Sequence, residues 1–380
     1  MGSKFLRLLP WLGLVLVLVI NLRLLFGVHE LLDFGSFVAS GRAAQAGQDP
    51  YAVYPLTARG EYQGIEYTFP NLNPPAWLPV FEGLARLDPF TAKTAWISLS
   101  FLLYCLGVFL LYRQQRPPPI WVLWAFSLAG LWNTLMLGQV YAVLFLLAVA
   151  GWVSLRREQE ILAGVFIGIA AALKPNLLVW PVILLLVGRR KAALWAGITF
   201  IGLSLLPLLR YPPLVYAQWF EAARGTNWSS LPHYLSVFSV AARFGVPWLG
   251  WLLAPLLLVG VAWWAWKYHP PVLQASAVAI AAAILASPLA TPRFTLLLVP
   301  AFFVFNSLRG LRLPAGLLAI PVAVVVWLGA FTAWSNLAAG LIYPIALFIS
   351  LSVFLGPAAG KSLLVADDSA DHLIDRPPVD

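Results

Sequence analysis

Apolar runs recur along the whole chain, each near the length of a membrane-embedded helix and each ended by charge, proline or glycine. They predict helices over 8–28, 93–112, 119–136, 139–155, 161–173, 176–188, 192–209, 247–266, 272–287, 294–308, 313–333 and 340–356. Long polar stretches, about 29–92 and 210–246, separate the first run from the second and the seventh from the eighth. Two regions depart from simple crossings. The run from Ile161 to Gly188 is too short for two crossings and too long for one, and Lys174-Pro175-Asn176 interrupts it, so two short helices meeting at a polar turn are expected. The run from Ile120 to Leu155 must cross out and back through a narrow turn near Gly138-Gln139. Irregular backbone at membrane depth must be buried in protein or face water, so both turns mark sites of interest. No repeat of 20 to 50 residues and no inverted pair of halves is visible.

Composition narrows the class. Of 380 residues, 61% are hydrophobic and 10% charged, and the mean hydropathy is +0.84, which excludes an ordinary soluble domain. The expected fold is an all-α, polytopic helical bundle of about 12 transmembrane or membrane-embedded helices with long external loops, occupying residues 1–356. Lys4 and Arg7 ahead of Leu8 to Ile20 imitate a signal peptide, but no small-x-small cleavage site follows, so an uncleaved first helix is expected. Residues 357–380, with Asp367, Asp368, Asp371 and Asp375, are acidic and poor in large apolar residues, which predicts a disordered tail. The one cysteine, Cys105, excludes an intramolecular disulfide and a cysteine-built metal site. The net charge of +9 does not point to nucleic acid, because the basic residues lie between apolar runs. Lys4, Arg7, Arg113, Arg116, Arg156, Arg157, Arg189, Arg190, Lys191, Lys267, Arg309 and Arg312 all fall on one side of the alternating topology. That bias predicts a multi-pass plasma-membrane protein with both termini cytoplasmic and the long loops outside.

Candidate chemistry gathers on the external side. Asp33 follows the first run directly, where a partly desolvated carboxylate can take a proton from a hydroxyl; a helix cap is the plainer account. Arg42 could hold an anion, Asp49-Pro50-Tyr51 reads first as a turn, and Glu66 is a reserve for the base. The aromatic, proline and amide segment Gly64 to Trp77 reads as an interfacial belt before a sugar platform. Lys174 is the most expensive residue of the chain, a cation between two apolar runs with no acid nearby in sequence; a phosphate-bearing ligand would compensate it, unless it snorkels. Arg293, after Ser287-Pro288 and Thr291-Pro292, offers a second such cation with the same alternative. The segment Thr226 to Tyr234 carries hydroxyls, an amide and aromatics suited to a polyol, and His233 could shuttle a proton, although a mobile interfacial loop is the plainer account. The sequon Asn227-Trp228-Ser229 matters only in a glycosylating compartment, and a bacterial or archaeal membrane is expected instead.

Taken in order, Asp33, Gly47-Gln48-Asp49-Pro50-Tyr51, Phe69 to Pro75, Gly138-Gln139, Ala163-Gly164, Ala171-Ala172-Leu173-Lys174-Pro175 and Ser287-Pro288 resemble the C-type membrane glycosyltransferases. Among these the chain is similar to glycosyltransferase family 87, the polyprenol-phosphate-mannose-dependent mannosyltransferases, over roughly residues 5 to 310. The resemblance implies transfer of a hexose, mannose first, from a polyprenyl phosphate sugar to a lipid or glycan acceptor by an inverting single displacement. It implies Asp33 as the base and puts Lys174 and the segment around Ser287 at the donor site; the residues themselves add Arg293 and Arg42 as candidate donor-phosphate ligands and Gln139, Asn176, His233 and Tyr51 as candidate substrate contacts, and neither metal nor cofactor is expected. In place of a histidine common in the family after Ser-Pro, this chain has Leu289-Ala290-Thr291-Pro292-Arg293. No glycine-rich nucleotide loop is present, in keeping with a donor that is not a nucleotide sugar. The alternatives are a transporter or flippase of lipid-linked sugars, with Lys174 and Arg293 as pathway charges, and a structural membrane subunit.

Overall fold

A computed structural model of the chain describes residues 2–62, 64–225 and 233–363. Among these, six helices are long and apolar enough to cross a membrane: Leu8–Gly27, Pro89–Gln115, Pro119–Leu137, Arg190–Leu209, Trp248–Tyr268 and Trp334–Leu355. Five shorter apolar helices, Tyr141–Arg156, Glu160–Leu173, Pro175–Leu186, Val272–Leu285 and Pro292–Val304, complete the bundle with one bent pair. The chain is a multi-pass helical membrane protein, and its outer surface is inverted relative to a soluble protein. Only 6% of the most apolar stretch of the first helix is buried, and Leu209, Trp251 and Trp266 lie exposed on the outer helices.

Several boundaries differ from the sequence expectation, each for a local reason. The single run expected over 313–333 divides into Arg309–Ala319 and Val322–Gly329, which meet at 74°. Pro321 lies at the break, where it removes a donor and disfavours helical backbone at Ile320. The last span starts at Ala333 rather than 340, because Thr332 and Ser335 form a reciprocal cap. The second starts at Pro89, where Asp88 accepts from the backbone of Phe90 and Thr91. Residues 357–363, assigned by sequence to the tail, are helical with Ala359 buried. Thr226 to Pro232 and the acidic residues Asp367, Asp368, Asp371 and Asp375 lie outside the described residues.

The two long loops are structured and pack together at one end of the bundle. The first contains the helix Asp33–Gln45, a hairpin of β1 (Ala58–Tyr62) and β2 (Ile65–Phe69), and the helix Leu78–Ala85. The strands are antiparallel with Ala58 opposite Phe69 and Arg59 opposite Thr68, a small exception to an all-helical fold. The second contributes Leu214–Arg224 and Val237–Arg243. Glu82, 3% exposed, joins the loops: its carboxylate pairs with Arg210 and accepts from the Tyr211 hydroxyl at 2.8 Å. Trp219 adds a bond from its indole N–H to the Leu72 carbonyl at 3.0 Å.

The helix Val272–Leu285 is the axis of the core, with every residue from Leu273 to Leu285 buried. Its alanines let neighbours approach, and Ser276 satisfies the indole of Trp180 at 2.9 Å. Helix Glu160–Leu173 is fixed against Arg190–Leu205 by Gly164 and Gly168, one turn apart on a shared face. A Cβ on Gly164 would lie 2.5 Å from the Ala192 carbonyl oxygen, and one on Gly168 2.6 Å from that of Ala196. Broken helix ends are capped by indoles. Trp77 donates to the Leu173 carbonyl at 3.1 Å and Trp132 to that of Phe126 at 2.8 Å, whereas Trp124 reaches the Ala315 carbonyl within Arg312–Ala319 at 2.8 Å.

Gly168→Ala is expected to lower the thermal unfolding midpoint in detergent, corresponding to about 1–3 kcal/mol of overpacking. Gly197→Ala on the neighbouring helix, whose new Cβ would meet nothing within 4 Å, should leave it unchanged or slightly raised. Equal midpoints for the two variants would contradict the close backbone approach.

Candidate active site

Asp33 opens the helix Asp33–Gln45, directly after Leu32, whose φ of 50° is unusual for a residue with a side chain. That strained link lies between the first membrane helix, which ends at Gly27, and Asp33, whose side chain lines a cavity. The cavity has a volume of about 280 Å³ and lies where the loop helix, the hairpin and four interrupted membrane helices meet. Gln139 reaches it through a tight helix end. Gly138 takes a φ of 65°, and the backbone N–H of Gln139 returns to the Thr134 carbonyl at 2.8 Å. A Cβ at Gly138 would also meet the Phe34 side chain at 2.8 Å, so glycine is required there on two counts. Lys174 enters from the break between Leu173 and Pro175, in the extended backbone that a following proline favours. Arg293 enters from the short helix after the axial one, behind Thr291-Pro292.

These four side chains form the polar floor. The Asp33 Oδ2 atom accepts from Arg293 Nη1 at 2.8 Å and from Gln139 Nε2 at 2.5 Å. Both bonds fall on the same oxygen, so Oδ1 receives none among the described residues. Arg293 is oriented by Thr291, whose Oγ1 accepts from Nε at 2.8 Å. The Tyr141 ring packs between the two cations, 5.6 Å from Lys174 Nζ and 5.8 Å from Arg293 Cζ; the Phe294 ring lies 5.2 Å from the same ammonium. The Lys174 side chain has no hydrogen bond and no carboxylate partner among the described residues. With Asp33 committed to Arg293, the floor keeps one amine without a counter-ion, whose protonated form an anionic ligand would stabilise.

His233 and Tyr234 form another wall, their rings 5.0 Å apart. Burial and the neighbouring Arg293 and Arg243 push the His233 imidazole down to about 3, so it is neutral at physiological pH. Its buried Nδ1 has no hydrogen-bond partner among the described residues. The remaining polar lining comes from Asn73, Asn133 and Arg59 of β1. Among the described residues no group of three or more His, Cys, Asp or Glu is arranged to hold a metal ion.

The structure therefore brings Asp33, Gln139, Lys174, His233 and Arg293 to one cavity, and it separates four other candidates from them. Arg42 is exposed near the far end of the helix that begins at Asp33, nine positions or about 13 Å along, and its charge acts on Asp88. Tyr51 is buried beside Tyr211 and Tyr216 beneath the loops. Asn176 points toward the axial helix and donates to the Ala283 carbonyl at 3.4 Å. Glu66 stands opposite Glu61 in the hairpin, outside the cavity lining. Two polar lining residues went unremarked in the sequence: Asn133 carried a signal, as a lone amide inside an apolar run, whereas Arg59 sits in a polar loop where nothing distinguishes it; Asn73 belongs to the segment read as an interfacial belt.

The model of glycosyltransferase family 87 matches residues 71–292, a stretch that contains Gln139, Lys174 and His233 and leaves Asp33 and Arg293 outside. No curated protein matches the chain. Among solved structures, ArnT from Cupriavidus metallidurans bound to undecaprenyl phosphate aligns at 14% identity with a TM-score of 0.37, covering 96% of this chain and 81% of that one. The apo state of ArnT from the same organism aligns at 15% identity with a TM-score of 0.40, covering 93% and 77%.

The buried neutral imidazole predicts a pH signature. The folded protein binds this proton less readily than the unfolded chain, whose histidines titrate near 6.5. Its contribution to stability is complete above that value and declines as pH falls through 6.5 toward 3. Unfolding midpoints between pH 7 and pH 4.5 should therefore fall less steeply in His233→Gln than in the wild type. Parallel slopes would mean that the imidazole is not held neutral.

Proposed function

Because the chain belongs to glycosyltransferase family 87, we propose that it is a membrane transferase moving a hexose, mannose first, from a polyprenyl phosphate sugar to an acceptor hydroxyl at the external membrane face. The observation that carries the reading is the cavity floor itself. A carboxylate with one unengaged oxygen stands in the same chamber as a buried ammonium that has no counter-ion. A lipid-linked sugar phosphate supplies what that chamber lacks, an anion next to an electrophilic carbon. The bias of Lys and Arg toward the short links opposite the cavity supports cytoplasmic termini and an external site in a plasma membrane.

In this mechanism the acceptor hydroxyl hydrogen-bonds to Asp33 Oδ1 and attacks the anomeric carbon from the face opposite the phosphate. Its proton passes to Asp33 as the new glycosidic bond forms. The bond between the anomeric carbon and the phosphate oxygen breaks, the electron pair leaves with the oxygen, and the anomeric configuration inverts. Lys174 stabilises the departing phosphate as a point charge. Arg293 uses two N–H groups on Asp33 and Thr291 and keeps others for the same oxygens, linking base and leaving group in one rigid unit. Tyr141 and Phe294 cover the ammonium so that it acts in a medium poorer in water, where a fixed charge counts for more.

Turnover of polyprenyl phosphate mannose in nanodiscs tests the assignment. Asp33→Asn should reduce release of polyprenyl phosphate by about 10²- to 10⁴-fold, with donor binding retained. Full turnover by that variant would remove Asp33 from the mechanism. Lys174→Gln should instead weaken binding of polyprenyl phosphate by about 10- to 100-fold, the worth of a charged hydrogen bond. Unchanged affinity would assign the phosphate elsewhere. Running the Asp33 assay with polyprenyl phosphate glucose in parallel reads the sugar preference.

A further inference from the structure

One buried cation has no part in the proposed mechanism. Lys93 lies on the membrane helix Pro89–Gln115, 7% exposed and close to the positive end of that helix, where burial and the helix dipole both disfavour a charge of its sign. It does not line the cavity, and among the described residues it forms no ion pair. Its ammonium donates instead to the backbone carbonyl of Glu30. That residue stands two places before Leu32 and three before Asp33.

Leu32 has a φ of 50° and a ψ of −141°, a combination that glycine adopts freely and leucine does not. Such backbone persists only where its surroundings hold it on both sides. Downstream the hold is extensive. The Gly35 N–H donates to the Leu32 carbonyl at 2.9 Å. Ser36 donates to the Phe69 carbonyl at 2.7 Å and accepts from the Ala58 N–H at 3.0 Å, which clamps the helix Asp33–Gln45 to the base of the hairpin, where Ala58 and Phe69 pair. A Cβ on Gly41 would strike the Phe81 carbonyl, so the same helix also lies close against Leu78–Ala85. Upstream, the one hydrogen bond that another element makes to residues 29–31, among the described residues, is that of Lys93. A bond from an ammonium is of the strong, charge-assisted kind, which suits it to hold a strained link.

The same helix supports the rest of the floor. Trp96, one turn beyond Lys93, directs its indole N–H to the Gln139 carbonyl at 3.4 Å and meets the ring of Trp77, which caps Leu173 ahead of Lys174. A single turn thus bears on the supports of Asp33, Gln139 and Lys174.

We propose that Lys93 is a positioning residue for Asp33: it pins the Glu30 carbonyl, keeps Leu32 in its strained conformation and so fixes the carboxylate at the cavity. This rests on the reading of Asp33 as the base. Without Lys93 the link relaxes toward ordinary backbone, and the first residue of the clamped helix is the part that follows it.

The test uses full-length protein in nanodiscs. Lys93→Met keeps the length of the side chain and removes its charge and donors, and Leu32→Gly adopts the native backbone without strain. Lys93→Met should lower release of polyprenyl phosphate from saturating polyprenyl phosphate mannose by about 10- to 100-fold, the effect of a small displacement of a reacting group, with affinity for polyprenyl phosphate unchanged. Adding Leu32→Gly should recover most of that rate. In an Asp33→Asn background Lys93→Met should lower the residual rate no further, because residues that act as a unit are not additive. Thermal midpoints give a reading independent of catalysis: Lys93→Met should lower the midpoint, and by clearly less when position 32 is already glycine. Lys93→Gln, which keeps a neutral donor, should fall between Lys93→Met and wild type, and it serves in every arm where Lys93→Met does not fold. Undiminished release, an equal loss in the Asp33→Asn background, or equal midpoint losses with leucine and glycine at position 32 would each overturn the proposal. So would a loss of polyprenyl phosphate binding as severe as that of Lys174→Gln, because Lys93 would then serve the donor. Full turnover by Asp33→Asn would defeat the base reading alone, and the midpoint comparison would still decide whether Lys93 holds the link.

Discussion

The contact between Asp33 and Arg293 joins residues 260 positions apart, and the geometry of the cavity depends on it. One partner belongs to a loop helix laid across the end of the bundle, the other to the first turn after the axial helix of the core. Neither has a stable place without the other. The buried guanidinium needs a counter-charge, and the carboxylate would otherwise swing freely at the start of its helix. Gln139 locks the same oxygen from a third direction, so one atom receives the loop, the axial segment and the tight turn at Gly138. The second carboxylate oxygen is held in position by bonds it does not make.

A bundle of unbroken helices would offer no such site, because intact helices satisfy their own polar backbone and present only side chains to their neighbours. Here the functional residues stand where helices stop. Lys174 follows Leu173, Gln139 follows Gly138, and Arg293 follows Thr291-Pro292. The break at Leu173 is stabilised from both directions. Gly164 and Gly168 fix the helix laterally against Arg190–Leu205, and Trp77 closes its last carbonyl. Lys174 is thereby held on a rigid stem, and its ammonium is stabilised by the Tyr141 and Phe294 rings rather than by a carboxylate that would cancel it.

Much of this could be read from the sequence, and the parts that could not share a cause. Lys174, Gln139 and Arg293 stood out because a polar residue flanked by apolar runs is costly and needs a reason. The broken run at Lys174-Pro175 was legible from length alone. Arg42 and Tyr51 belong to a stretch where polar residues are unremarkable, and only the helix Asp33–Gln45 reveals that Arg42 is carried away from Asp33 by nine residues of rise. Asn176 was grouped with Lys174 by adjacency, yet one step of backbone turns it toward the axial helix. Arg59 escaped notice for the same reason as Arg42. Its place is set by strand pairing and by the Ser36 clamp, contacts that span 22 and 33 residues and leave no local trace.

The tryptophans have a consequence beyond the site. The segment ending at Trp77 suggested a belt at the membrane boundary, but Trp77 donates to the last carbonyl of Glu160–Leu173, and Trp132 likewise to the Phe126 carbonyl near a helix end. An indole used this way is a hydrogen-bond donor that carries its own hydrocarbon shelter, so a helix can terminate at a depth where no water is present to solvate it. Such caps make indole and benzene rings non-equivalent in this protein. An exchange of tryptophan for phenylalanine, silent for a ring that merely floats in lipid, would here leave a bare carbonyl in oil. The chain spends a large aromatic residue to gain one bond, and that bond lets a polar cavity exist at the end of a half-length helix.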